Sequence, residues 1–448
     1  MSQVIYHPDA IYTPRGLLLD HALMVDTSTG RILSIDPAPH LLHKHPDLPI
    51  TRWPHMVLFP GTINTHAHSF QHLVRGIGTD APFLVWRDHA LYDVAPALDP
   101  DAVYTGARLA FAEMALSGIT TVADFFYVHQ NGIETDQAVV QAAHDVGIRL
   151  VLARCLYDWS GAPEAYQETV ADAVSRTRHL AKMYQTDPLV TVHPAPHSLH
   201  GASDDMIQAG VALARELQTP YHIHVAEQQF EGLAIHERTG KSPVQHLAQI
   251  GAVTANLIAV HLVWIDPTDI ELLGQAHASL AYCPSSNMFL ADGVTPLPKL
   301  LESGVTAGLG TDGGCSNNRS SIFEEMRMAS LLQKVSHLNT QVITADTVFQ
   351  MGTRAGAKML DLDAGELSPG KLADFVAIDM QHLSCLPWSP DTALANVVYS
   401  LQPEAIRHVV VGGVPIVRDR QLSRVSEKSI EESVRAFYER WKSLDLDP

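Results

Sequence analysis

The chain has 448 residues, 46% of them hydrophobic and 18% charged, which describes a globular protein with a sizeable core and excludes disordered and fibrous classes. Its formal net charge of −19 argues against nucleic acid or an anionic membrane surface as partner and leaves small-molecule substrates, with a homo-oligomer open. Four cysteines (Cys155, Cys283, Cys315, Cys385) without Cys-x-x-Cys spacing, a start that does not read as a signal peptide and the lack of a long uncharged apolar run predict a cytoplasmic protein with free thiols.

Residues 1–55 read as short β segments, with "LLLDHALMVDTSTGRILSID" predicting two strands around a Thr-Gly turn. From about residue 56 to 370 short apolar runs alternate with helix-length amphipathic segments such as "DAVYTGARLAFAEMALSG" and "DDMIQAGVALARELQ". The runs are "MVLFPGTIN", "GITTVADF" (118–125), "IRLVLAR" (148–154), "PLVTVHPAP" (188–196), "YHIHVAE" (221–227), "NLIAVH" (256–261), "ASLAYCP" (278–284) and "VTAGLGTD" (305–312). Eight such runs between helices predict a parallel (β/α)8 TIM-like barrel, with a doubly wound open sheet as the competing architecture. After about residue 370 the β character returns in "GKLADFVAID" and "IRHVVVGGVPIVRDRQL", before a surface helix, "SEKSIEESVRAFYERWKSL", with a capping serine and an apolar stripe. The expected organisation is therefore a small β-sandwich domain built from both termini (1–57 and 371–448, the latter with the C-terminal helix) beside a catalytic barrel (58–370).

Histidine is abundant, with 25 copies, and is the commonest metal ligand. Polar residues at the ends of core strands are costly unless satisfied or used. Here they recur at the C-terminal ends of the runs: His66 and His68 on the first, His224 and Glu227 on the fifth, His261 on the sixth, Asp312 on the eighth. In a parallel barrel these ends share the face where active sites assemble. Each residue alone has an ordinary reading: a satisfied turn pair for His-x-His, a buried histidine for His261, a helix cap for Asp312, a solvated charge for Glu227. Recurrence at the same end of four strands favours a site. His66 and His68, two apart in an extended segment, share one side. His224 and Asp312 add ligands from across the mouth. Three imidazoles and a carboxylate suit one divalent metal, Zn²⁺ first and Fe²⁺ second.

This pattern resembles the amidohydrolase superfamily, and the likeness runs over almost the whole chain, including "SPGKLADFVAID". It is strongest toward the cyclic-amidine aminohydrolases, which include triazine hydrolases, guanine-type deaminases and adenosylhomocysteine deaminases, on "HVAEQ" (224–228), "YCPSSNMFLADGVTPLPKLLESGV" (282–305) and "LGTDGGCSNNRSSIFEEMRMASLLQK" (309–334). The resemblance implies His66, His68, His224 and Asp312 as metal ligands, Glu227 as proton shuttle, and His261 as a residue that binds the attacking water or polarises the leaving side. It implies hydrolytic deamination of the amino-substituted C=N carbon of a purine, pterin or triazine-like ring. Some superfamily members hold two metals bridged by a modified lysine on strand four. "LVTVHPAP" has no lysine, so one metal is expected, although His193 and His197 lie nearby as alternative ligands or substrate contacts, with a buried position the other reading of His193.

Pocket motifs "HAHSFQHLVRG", "FLVWRDHALYD" (83–93), "FFYVH" (125–129) and "PAPHSLH" (194–200) also resemble formimidoylglutamate deiminases. That likeness implies substrate contacts for Gln71, Arg87, Tyr127 and His197, and makes an acyclic formimidoyl substrate the runner-up. His200 stands where that family has a carboxylate-binding arginine, and imidazole does not replace a bidentate Arg–carboxylate contact without loss. Arg87 reads either as an anion or ring-carbonyl contact or as a salt bridge to Asp88 or Asp93. Trp86 and Phe70 read as stacking surfaces or as plain packing. His72, the third histidine of the cluster, is expected at the surface or behind the ligands. A non-catalytic binding barrel would need a broken ligand set, and here the set is complete.

Overall fold

A computed structural model describes residues 2–442; the last six residues of the 371–448 segment, including the end of the expected C-terminal helix, lie outside the described residues. Eight strands form the barrel: Thr62–His68, Ile119–Phe126, Arg149–Leu156, Val190–Pro196, Tyr221–Val225, Leu257–His261, Ser279–Tyr282 and Thr306–Leu309. Most of their residues are buried, and six of the eight strands are buried at every position, as strands covered on both faces require. The ladders are parallel within strands one to four and within five to eight. Two short links close the ring. Strand four joins five through a bridge between Ser198 and His224. The chain beyond strand eight joins strand one through Asp312–Gly313, which pairs with Ala67 and His68. The open-sheet alternative is thereby excluded.

Inside the barrel, Ile63, Ala123, Val151, Ile258, Val260 and Ala281 fill the floor beneath the strand ends. Asn64 ties the first strand to the eighth. Its amide donates to Thr311 Oγ1 at 2.7 Å and accepts from the Thr311 backbone at 3.1 Å. This fixes the relative height of the His66–His68 and Asp312 segments. Intervening helices start on side-chain caps from Asp99, Thr169, Ser203, Ser242, Asp266 and Ser321.

The β-rich ends join as expected. Gln3–Thr13 pairs in parallel with Ile50–Pro60, which pairs antiparallel with Phe375–Asp379. The hairpin His21–Asp26/Arg31–Pro37 forms around the Thr-Gly turn. All nine strands are hydrogen-bonded into one sheet. That sheet curls over a shared core containing Leu23, Val25, Phe375 and Val410, so the layers of the expected sandwich are two parts of one ladder. The fold-over brings Gly30 against Gly412, where a Cβ on Gly30 would lie 3.2 Å from the Gly412 Cα. Ile50–Pro60 runs directly into the first barrel strand, so the small sheet anchors the segment that carries His66 and His68. The helix Glu427–Lys442 buries Ile430, Phe437 and Trp441, and Arg440 pairs with Asp99 at 2.8 Å.

Candidate active site

The strand ends bring four residues together. His224 Nε2 lies 3.2 Å from His66 Nε2, and Asp312 Oδ1 lies 3.4 Å from His66 Nε2 and 3.2 Å from His68 Nε2. The opposite nitrogens explain this aim. His68 Nδ1 donates to the Phe125 carbonyl at 2.6 Å and His224 Nδ1 to the His197 carbonyl at 3.0 Å, which leaves both Nε2 lone pairs facing inward. Burial holds the His66 ring down to about 4 and the His224 ring well below its ordinary value, so both are neutral ligands at pH 7. Burial raises Asp312, but the neighbouring His66 and His68 rings more than offset this and hold it well below the carboxylate range. Ser286 Oγ donates to the other Asp312 oxygen. Three imidazoles and one carboxylate form an N3O set that fits one divalent cation such as zinc. Asp124 steadies the turn beyond them, accepting from the Ser69 backbone and hydroxyl, each at 2.6 Å.

Asp312 (φ 60°), His261 (φ 73°), Leu262 (φ 50°) and Ala226 (φ 54°) all sit in the left-handed region. Such strain costs of order 1–3 kcal/mol per residue and gathers at functional sites. It turns these chain segments sharply at the barrel rim.

Glu227 and His261 face each other beside the ligand set, with Glu227 Oε1 3.5 Å from His261 Nε2. His261 Nδ1 donates to Asn287 Oδ1 at 3.0 Å, and Asn287 is itself oriented by its donation to Thr295 Oγ1 at 3.3 Å. A neutral His261 therefore points an unprotonated Nε2 at Glu227. Burial, then Asp292, Glu231 and Asp312, push the Glu227 carboxyl well above its usual range, so it carries the proton between them.

A cavity opens above these residues. Gln71, Trp86, Arg87, Tyr127, His197 and His200 all line it. Gln71 donates to the Tyr127 hydroxyl at 2.9 Å and accepts from Cys315 Sγ at 3.2 Å. Trp86 Nε1 donates to the Cys315 carbonyl at 2.9 Å. Arg87 lines the pocket, binds Asp88 at 2.6 Å, as its salt-bridge reading had it, and lies 4.5 Å over the Tyr92 ring. His200 reaches Glu231 at 3.3 Å.

For three further residues the structure favours one of the two readings. His72 is buried, held by Ser320 at 2.9 Å, because the helical turn Ser69–Val74 folds inward rather than out to solvent. Phe70 packs edge-on against Phe126 and Tyr127 and is absent from the pocket wall. His193 pairs with His222 at 3.1 Å within the barrel, off the pocket wall. Sequence reasoning missed Tyr92, Tyr157, Tyr166, Phe83 and Phe230, which line the pocket, as well as Ser286, Asn287 and Asp292 around the strand ends. The pocket aromatics come from loops without strand periodicity. The last three lie within the quoted 282–305 stretch, where "SSN" and "ADG" were visible but carried no spacing rule.

Fold and geometry together define a barrel whose rim carries residues that could hold a metal. The sequence matches the amidohydrolase family model over residues 57–416, and the chain belongs to that family. It is 34% identical over 412 residues to a 5-methylthioadenosine/S-adenosylhomocysteine deaminase of Syntrophobacter fumaroxidans, covering 91% of this chain and 90% of that protein. It is 33% identical to a 5′-deoxyadenosine deaminase of Methanothermobacter thermautotrophicus, covering 85% and 86%. Among solved structures, an adenosine deaminase from Xanthomonas campestris with bound zinc superposes with a TM-score of 0.90 at 26% identity over 98% of both chains. A zinc complex of atrazine chlorohydrolase from Arthrobacter aurescens shares the fold, with a TM-score of 0.89 at 22% identity over 97% of this chain and 99% of that one.

Proposed function

We propose that this chain is a zinc-dependent hydrolytic deaminase that replaces the exocyclic amino group of a nitrogen heterocycle by oxygen, with adenosine-type purines as the first substrate class. The observation that carries the reading is the pairing of an inward N3O ligand set with a protonated Glu227 beside it. When bound, a divalent cation supplies Lewis acidity and lowers the pKa of water to about 7. His66, His68, His224 and Asp312 would hold it. Asp312, the anionic member of the set, takes the proton of the attacking water. Glu227 gives its proton to the ring nitrogen beside the attacked carbon, then takes the proton of the new hydroxyl on that carbon and passes it to the amino group, which leaves as ammonia as the carbonyl forms; the proton held by Asp312 then restores Glu227. His261 holds Glu227 in place and faces the attacking side. Water and the amino-substituted C=N carbon become a ring carbonyl with its N–H, and ammonia.

Tyr127, Tyr157, Tyr166, Trp86, Phe83 and Phe230 give the pocket flat aromatic walls, which support a ring substrate over an acyclic formimidoyl group. His200, partly exposed and tied to Glu231, offers no bidentate carboxylate clamp. Gln71, Trp86, Arg87, Tyr127, His197 and His200 are the proposed substrate contacts. The relatives named as deaminases of adenosine derivatives support the same choice. The test is an ammonia-release screen of zinc-loaded protein on 5′-deoxyadenosine, methylthioadenosine, adenosylhomocysteine, guanine, pterin, a hydroxylated triazine and formimidoylglutamate. Release from the adenosine derivatives supports the reading. Release from formimidoylglutamate alone makes the acyclic substrate correct.

A further inference from the structure

Four carboxylates crowd one buried region: Glu227, Glu231, Asp292 and Asp312 are each no more than 8% exposed. Burying like charges together is expensive unless they are protonated, paired with cations or bound to metal. Among the described residues their ion pairs are only with histidines: His66 and His68 for Asp312, His261 for Glu227, His200 for Glu231. Asp292 has no ion pair. Gln228 donates to its Oδ1, while its Oδ2 is buried and has no hydrogen-bond partner.

A carboxylate oxygen of Glu227, a ring nitrogen of His261 and a carboxylate oxygen of Asp292 all lie within 4.8 Å of one another. His261 contributes a free lone pair, because Asn287 fixes its proton on the other nitrogen. Zinc bonds of about 2.1 Å bring two donors to at most about 4.2 Å apart, so a small carboxylate rotation closes the set. None of the three belongs to the N3O set.

We propose that Glu227, His261 and Asp292 form a second, inhibitory zinc site beside the catalytic one. A cation there displaces the proton of Glu227 and the proton that lowers the repulsion between Glu227 and Asp292. It thereby removes the acid that the deamination requires. Zinc in excess of the first equivalent acts as a brake, and protons compete with it for the same oxygens. The site holds zinc whatever the identity of the substrate, although the loss of turnover rests on the deaminase reading.

Metal-free protein is titrated with zinc by equilibrium dialysis, with bound metal read by elemental analysis, alongside Asp292→Asn and Glu227→Gln. Surface histidines take up zinc equally in all three proteins and cancel in the difference. Wild type is expected to bind one equivalent more than either variant, with the affinity for that equivalent falling at least about tenfold in each. Lowering the pH weakens the extra equivalent in wild type. In ammonia-release assays turnover rises with the first equivalent and falls with the second. Equal zinc uptake by wild type and both variants overturns the site. An extra wild-type equivalent without turnover on any substrate leaves the site standing and refutes the deaminase reading instead. Two independent variants guard against one failing to fold.

Discussion

Arg154→Met should destabilise the barrel and distort the pocket wall at once. Arg154 lies near the end of the third barrel strand, with a fully buried guanidinium. It binds both oxygens of Glu168, at 2.8 and 2.9 Å, and Asp136 at 3.2 Å, where the two carboxylates are 1% and 0% exposed. Breaking a buried pair by removing one partner costs about 3–5 kcal/mol. Titration gives a similar figure. Burial raises the Glu168 carboxyl, but His129, Arg154 and Arg176 pull it down to about 2 from an ordinary 4.5. At about 1.4 kcal/mol per pH unit that gap is about 3.5 kcal/mol, shared among His129, Arg154 and Arg176. Because the folded value lies below the unfolded one, the stabilisation is complete above about 4.5 and is lost as the pH falls toward 2. For 448 residues unfolding together, at about 2 cal/mol/K per residue, about 3 kcal/mol lowers Tm by about 3 °C. Circular-dichroism melts of wild type and variant at pH 7.5 and pH 5 measure it. The gap should narrow at pH 5, where the freed and buried Glu168 takes up a proton. Tyr157 and Tyr166 lie between Arg154 and Glu168 and line the pocket, so KM should rise as well. An unchanged Tm at pH 7.5, or a gap that widens at pH 5, refutes the reasoning.

Gly313→Ala places a Cβ 1.5 Å from Gln71 Oε1, so Gln71 must leave the Tyr127 hydroxyl. We expect kcat/KM to fall about 10- to 100-fold with metal content unchanged, because small misplacements near a reacting centre are costly; unaltered kinetics would remove Gln71 from the pocket's working parts. Asp312→Ala should lose both bound zinc and turnover, and wild-type metal with a wild-type rate would take Asp312 out of the ligand set. Arg87→Met should raise KM roughly tenfold with kcat within about threefold, the pattern of a group that binds substrate without entering the chemistry. Equal values of both constants would mean that its contacts with Asp88 and Tyr92 are its whole role.

The barrel was readable because parallel strands covered on both faces write continuous apolar runs, and eight of them alternate with helices. The ligand set was readable for a related reason: histidine and aspartate at core-strand ends conflict with burial unless they are used. His66, His68, His224 and Asp312 all carried that conflict in sequence, and the structure brings them together. Loop-borne partners carried no such signal. Tyr157 and Tyr166 reach the pocket because the Arg154–Glu168 pair folds their loop inward, a contact between residues 14 apart with no periodic signature. His72 read as either surface or behind the ligands, and the turn after the first strand decides it by burying the ring against Ser320. Asp292 carried no signal of its own in the sequence, and only tertiary packing sets it beside Glu227 and His261. The curl of the nine-stranded sheet was equally hidden, since it depends on distant hairpins meeting at Gly30 and Gly412.

The central claim is that Glu227 moves protons beside an intact metal-ligand set. Zinc-reconstituted wild type and Glu227→Gln should be compared on one 5′-substituted adenosine, reading ammonia release and catalytic-site zinc on the same samples. At one equivalent of added zinc the account predicts full loading in both proteins and a rate at least about 10²-fold lower in the variant, the range of general acid–base catalysis. A variant that retains its zinc and deaminates at the wild-type rate would contradict it.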